Sequence, residues 1–341
     1  MDRTSGKRVI IWAIDPFVRS KQMLRSVAQA LRTLSRDQPT VIAPVYVFNA
    51  EPLLMPSDLP QDIIEKSMAY ASTEIQKALA DLSLDNVLTE KIISIPFSGL
   101  TSQIEGLLKY ATEIRADMIA LSTHGRHGFK RWMVGSFTET LMLTSSLPLL
   151  VVNSRSQVQS EMTRVLFPTD FSQKSRLAFE HFISSPRAAL CEITILHAIP
   201  YLAGPELRKA IAGDLVYEKA FSEIVREKKT EAKRWASLAT QAGFKSSYIV
   251  DFKSSGSIAE VIVKYANKYP CFIVMAAECG PMSAKLLGST ARQVVRGASS
   301  PVIIMRSPPS GLTKEDWWEC LSKKDIEATL FEHHAGARDI L

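Results

Sequence analysis

GSFTETLMLTSSLPLLVV at residues 135–152 returns as GSTARQVVRGASSPVIIM at residues 288–305, and this echo decides how the chain is divided. Each block opens on Gly-Ser, passes through a helix-length segment and closes on a proline followed by an apolar run. RVIIWAID (8–15) likewise matches RVLFPTD (164–170), and VYVFN (45–49) matches ILHAI (195–199). The offsets agree: 155 residues separate Asp15 from Asp170, and 153 separate both Gly135 from Gly288 and Pro148 from Pro301. Chance similarity would not keep its register across three separated blocks. The chain is a duplication.

Within each copy, short runs that are apolar on both faces alternate with amphipathic segments. The first copy predicts strands near 8–15, 40–48, 87–95, 117–123 and 148–153, and helices near 20–35, 60–82, 101–115 and 136–145. The second predicts strands near 163–169, 192–198, 245–252, 271–277 and 301–306, with a longer helical region over about 205–242. Strands such as VIIWAI and PLLVV, apolar throughout, suit a parallel sheet covered by helices on both sides. Strict alternation with right-handed crossovers then gives two doubly wound, five-stranded parallel-sheet domains. The expected boundaries are 1–153 for the first domain, 154–161 (SRSQVQSE) for a polar linker and 162–307 for the second domain. A tail over 308–341 follows, probed by Trp317, Trp318 and Phe331 as a packed terminal helix or a partner-binding one. The final strands of the two copies, Leu149–Asn153 and Val302–Arg306, would be exposed apolar edges if left alone. Pairing them with each other would cover both edges.

Composition narrows the function. The chain has 46% hydrophobic and 22% charged residues, and no apolar run long enough to span a bilayer. The N-terminal run is broken at Asp15 and lacks a small-residue cleavage site, so no signal peptide is expected. Cys191, Cys271, Cys279 and Cys320 show no ligand spacing and read as free thiols of a cytoplasmic protein. The net charge of +6 is spread over 41 basic and 35 acidic residues, without the basic–aromatic runs of a nucleic-acid binder.

In an open doubly wound sheet, ligands bind beyond the carboxyl ends of the strands, where the strand order reverses. Asp15 closes the first strand and can accept hydrogen bonds from an adenine amino group or a ribose hydroxyl. Val47, near the end of the second, offers backbone groups and an apolar wall to a base. STHGRHGFKRWMVGS (122–136), after the fourth strand, supplies glycines for close approach and a helix start at Gly135–Ser136. The free amides and partial positive charge of a helix N-terminus suit phosphate. Each feature also has a plainer reading: Asp15 as a turn former, Val47 as a core valine, Gly135–Ser136 as an ordinary cap. Their convergence at one sheet end favours a nucleotide site.

These residues resemble the universal stress proteins. Members of that family carry an aspartate after strand one, in a PTDFS-like run, and G-x2-G-x9-G-[ST] after strand four. PTDFS stands verbatim at 168–172, and the first copy has S-x2-G-x9-G-S, with Ser122, Gly125, Gly135 and Ser136 at the motif positions. The resemblance covers nearly all of 8–153 and 163–306. It implies an adenine nucleotide alpha hydrolase-like, Rossmann-like fold in each copy, with Leu149–Asn153 and Val302–Arg306 pairing about a pseudo-two-fold axis to give an internal pseudo-dimer. The implied ligand is ATP, with or without Mg2+, held by Asp15, Val47, Ser122, Gly125, Gly135 and Ser136. Ser122 departs from the family's first glycine, placing a small hydroxyl where the family keeps no side chain. The second copy departs further: Ala276 and Cys279 occupy the glycine positions and the step to Gly288 is one residue shorter. Its site is expected to be degenerate.

His124 and His127 faintly resemble the HxGH signature of adenylyl-transferring enzymes, but they follow strand four where those enzymes use strand one. No phosphate loop of the GxxxxGK[ST] type occurs. The implied function is an ATP-binding stress-response regulator, with a nucleotide-independent scaffold or a slow ATPase as alternatives. The 122–136 loop has no Asp or Glu to act as a base, so at most weak hydrolysis is expected. A protein partner is expected but not identified, further self-association is compatible, and neither specific nucleic acid nor membrane is expected.

Overall fold

The structure is a computed structural model. It describes residues 7–306 except 19, 37, 49–60, 96–98, 124–134, 154, 157, 160–161, 186–189, 200–214, 255 and 278–287. The C-terminal tail, Gly125, His124, His127, Cys279 and Cys320 lie outside the described residues.

The first half runs β1 (Arg8–Ala13), α1 (Lys21–Ser35), β2 (Thr40–Phe48), α2 (Gln61–Ala80), β3 (Lys91–Ser94), α3 (Leu100–Glu113), β4 (Met118–Ser122), α4 (Ser136–Thr144) and β5 (Leu149–Val152). The second half follows with β6 (Arg164–Pro168), α5 (Gln173–Ser184), β7 (Glu192–Ala198), α6 (Leu215–Gln241), β8 (Lys245–Asp251), α7 (Ile258–Lys268), β9 (Phe272–Ala277), α8 (Ser289–Gly297) and β10 (Val302–Arg306). Apolar spacing makes these helices. In α1 the buried Met23, Leu24, Val27, Leu31 and Leu34 recur every three or four residues and form one stripe against the sheet. The strand expected over 87–95 is shorter. Asn86 sits in the left-handed region at φ 53°, Val87 makes a single bridge to Ile42, and regular pairing begins only at Lys91.

All ten strands join one sheet in the order β3-β2-β1-β4-β5-β10-β9-β6-β7-β8. Each half is parallel and has its switch point between its first and fourth strands. The halves meet where β5 runs antiparallel to β10, with Val151 opposite Val302, Leu150 opposite Ile303 and Leu149 opposite Ile304. Leu150 and Ile303 occupy equivalent places in the repeat, so the pseudo-two-fold axis passes between them. The pairing expected from the apolar edges is present.

The strand register also corrects one alignment. Ala13 pairs with Val45 and Pro168 with Leu196, so Val45 corresponds to Leu196 rather than Ile195. Val47 therefore matches Ala198, and His197 matches Tyr46.

One apolar layer is continuous across both halves, taking Trp12, Leu150, Ile303 and Phe167 from the sheet and buried residues of α1, α2, α5 and α6. The opposite layer lies beneath α3, α4, α7 and α8 and includes Ile11, Leu121, Leu149 and Ile304. Polar contacts reinforce the junction. Asn153 Nδ2 donates to the carbonyls of Val295 and Ala298 at the end of α8. Arg296 Nη2 donates to Glu139 Oε1 at 2.7 Å, with Arg292 3.9 Å from the same oxygen. Glu139 and Arg292 are equivalent positions, so the repeat carries opposite charges at the two places that face each other. The segment after β5 is tied down as well: Ser156 is buried, and its carbonyl accepts from Ser26 Oγ at 3.2 Å. Among the described residues no helix is long and apolar enough to cross a membrane.

Candidate functional site

At the switch point of the first half, β1 ends in register with β4: Ala13 stands beside Leu121. Two residues further on each strand come Asp15 and Thr123. Asp15 Oδ1 accepts from the Phe17 amide at 3.0 Å, so the aspartate shapes its own turn, as the plainer reading has it. The Asp15 carboxylate stands at the carboxyl edge of the sheet. Val47 pairs with Ile93 and is half-buried on the face covered by α3 and α4. Tyr46 points to the other face, where Phe17 meets it edge-on and stacks on Tyr70 at 5.7 Å.

The return from the glycine-rich loop is stitched to β4. The Gly135 amide donates to the Thr123 carbonyl at 2.7 Å, and Thr138 Oγ1 donates to the Ser122 carbonyl at 3.0 Å. Thr138 was not singled out by sequence; its place three residues after Gly135 is its one signal. Gly135 itself is not in a glycine-only conformation, since φ is −62° and ψ 147°. What a larger residue lacks is space: a Cβ there would lie 3.1 Å from the Thr123 carbonyl oxygen, which would have to give way. At Gly288 a Cβ would meet nothing within 4 Å among the described residues.

Helix starts in this protein fall into two kinds. Ser257 and Glu260 cap α7 reciprocally, and Ser172 caps α5 by accepting from the Ser175 amide. Among the described residues no side chain caps α1, α3, α4 or α8, and the last two have Gly135 and Gly288 as their N-caps. Uncapped first-turn amides are a positive end available to an anion. Ser136 is exposed at the start of α4. The structure thus places Asp15, Val47, Ser122, Gly135 and Ser136 around the carboxyl ends of β1, β2 and β4, with Gly125 outside the described residues.

The second half uses its aspartate differently. Asp170 Oδ1 accepts from the Ser172 amide at 2.9 Å and from Ser175 Oγ at 2.6 Å, organising the start of α5. Burial pushes this carboxyl up, but the hydrogen bonds from Ser175 and Ser172 outweigh it and hold it below the usual range. Asp251 is similar: hydrogen bonds, chiefly from Ser254, outweigh burial and lower it. On the opposite face His197 Nδ1 lies 2.8 Å from the Thr169 carbonyl, which can only accept, so Nδ1 carries the proton. Burial lowers the His197 pKa and favours the neutral ring, which packs on Phe171 at 4.7 Å.

The two lowered carboxylates give a pH dependence of known sign. Their ionised forms are favoured by folding, so the stability they contribute is complete above the ordinary carboxylate pKa of about 4. It is lost as pH falls through the lower folded values. Asp170→Asn with Asp251→Asn should therefore cost on the order of 1 kcal/mol or more at neutral pH and flatten the acid limb. Urea midpoints taken from neutral pH down to about 3 would show this; a variant whose curve parallels the wild type throughout would contradict it.

Comparison with known proteins adds the following. A model of the universal stress protein family matches residues 7–153 and again residues 161–306. Among solved structures, a universal stress protein from Archaeoglobus fulgidus DSM 4304 aligns with a TM-score of 0.59 at 17% identity, over 88% of this chain and 98% of its own. A functionally unknown protein from Pseudomonas aeruginosa PAO1 aligns with a TM-score of 0.56 at 14% identity, over 92% of this chain and 95% of its own. At such identities the likeness concerns the fold. No curated protein matches the chain significantly.

Proposed function

The chain belongs to the universal stress protein family, matched once in each half, and from that premise we propose that it is an ATP-binding stress-response regulator. The nucleotide is held chiefly by the first half. The observation that carries this is the Gly135–Thr123 stitch, which sets the uncapped start of α4 at the switch point, where Asp15 follows the end of β1. Asp15 would receive the adenine amino group or a ribose hydroxyl, and Val47 would flank the base. Ser122 and Gly125 would line the ribose and phosphate path, and Gly135 and Ser136 would present amides to phosphate. In the second half the close-approach glycines are replaced, which supports a weak or lost site there.

Binding rather than turnover is favoured by the placement of acids. The acidic residue in the first turn of α4 is Glu139, and Arg296 holds its carboxylate at 2.7 Å across the junction. A carboxylate fixed by a guanidinium is a poor general base. Titration with a fluorescent ATP analogue, followed by measurement of phosphate release, separates the readings. Saturable binding with release no faster than the uncatalysed background is expected. Rapid release would establish an ATPase instead, and no binding would leave a nucleotide-independent scaffold.

A further inference from the structure

A groove at the outer edge of the second half, away from both sheet switch points, combines features that the proposed nucleotide site does not use. Helix α6 crosses the face of β8, the last strand of the sheet, and between them lies a cavity of about 510 Å³. That volume falls in the range of small-molecule sites, roughly 300–1,000 Å³. Helical spacing brings Arg226, Lys229 and Lys233 onto the one stripe of α6 that lines it. The strand side supplies Tyr248 and Phe252, with Tyr248 41% exposed. Phe221 meets Phe252 edge-on at 6.2 Å and closes the apolar floor.

Among the described residues the three cations lining this groove have no ion-pair partner: the ion pairs described within α6 are Lys228 with Glu227 and Arg234 with Glu231. No carboxylate lines the cavity among the described residues. Lys229 Nζ and Lys253 Nζ each lie 5.6 Å from the Phe252 ring centroid, so the cations gather around an aromatic surface. A purely solvated helix face would scatter its cations among its acids, as the other side of α6 does. Three like charges around exposed rings at a concave sheet edge are instead complementary to a flat molecule bearing negative charge.

We propose that this groove binds a small aromatic anion, its ring against Tyr248 and Phe252 and its acidic group against Arg226, Lys229 and Lys233. The residues are distinct from those of the nucleotide site, so either assignment can fail without the other. The probe is anilinonaphthalene sulfonate, followed by its fluorescence on the full chain, beside the uncharged N-phenylnaphthylamine. The sulfonate should bind saturably, about tenfold or more tighter than the uncharged dye, and weaken as salt is raised. The R226Q/K229Q/K233Q variant should bind the sulfonate about tenfold or more weakly, and Tyr248→Ala should also weaken it, with unfolding midpoints kept. Equal affinity for the two dyes on the wild-type chain overturns the assignment without reliance on any variant. Wild-type sulfonate affinity in the triple variant overturns it equally.

Discussion

Gly135→Val should abolish ATP binding, with a loss of roughly a hundredfold or more in affinity, about 3 kcal/mol. The reason is steric and local. Gly135 has an extended backbone that any residue can adopt, yet its Cβ position lies 3.1 Å from the Thr123 carbonyl oxygen. The same carbonyl accepts the Gly135 amide at 2.7 Å, so glycine and carbonyl cannot both stay in place around a branched side chain. Either the valine methyls fill the space where phosphate must approach, or the start of α4 moves and carries its amides away. Gly288→Val makes the control, because a Cβ there meets nothing within 4 Å among the described residues. Titration with a fluorescent ATP analogue, beside a thermal melt to confirm folding, reads the result. A folded Gly135→Val chain that binds like wild type would show that the site lies elsewhere.

Ile303→Asp should destabilise the whole molecule, by on the order of 4 kcal/mol or more. Ile303 is 2% exposed and faces Leu150, itself fully buried, across the antiparallel junction. A carboxylate there has no partner and must be desolvated or protonated. The apolar layer beneath runs from Trp12 in the first half to Phe167 and Trp235 in the second, so damage at the axis reaches both. Denaturation followed by tryptophan fluorescence and by far-UV circular dichroism should give one shifted transition with coincident midpoints. A loss confined to the second half, leaving the first half's transition in place, would mean that the halves are merely tethered.

The architecture was readable because its signals are local and repeated. Thr40–Phe48 is apolar throughout and bounded by Pro39, and its expected and observed limits coincide. The β5–β10 junction followed from two apolar edges that needed cover. What escaped depends on contacts between distant segments. The one-residue shift between the repeats at Val47 shows only in the strand register, because VYVF reads equally well against ILHA and LHAI. The contacts of Glu139 with Arg296 and Arg292 need the two halves antiparallel before α4 and α8 can meet. For Gly135 the sequence suggests close approach to a ligand, whereas the neighbour that the fold brings against it, the Thr123 carbonyl, could not be read without β4 in place. The groove on α6 likewise needs β8 in place, since basic residues on a long helix ordinarily read as a solvated face.

The central claim is an unequal pair of sites, one competent and one degenerate, in a single folded body. Isothermal titration calorimetry of the purified full chain with ATP counts them directly. About one molecule bound per chain is expected, from the intact step between Gly125 and Gly135 and its loss before Gly288. Two equivalent sites per chain, or no heat of binding at all, would contradict it.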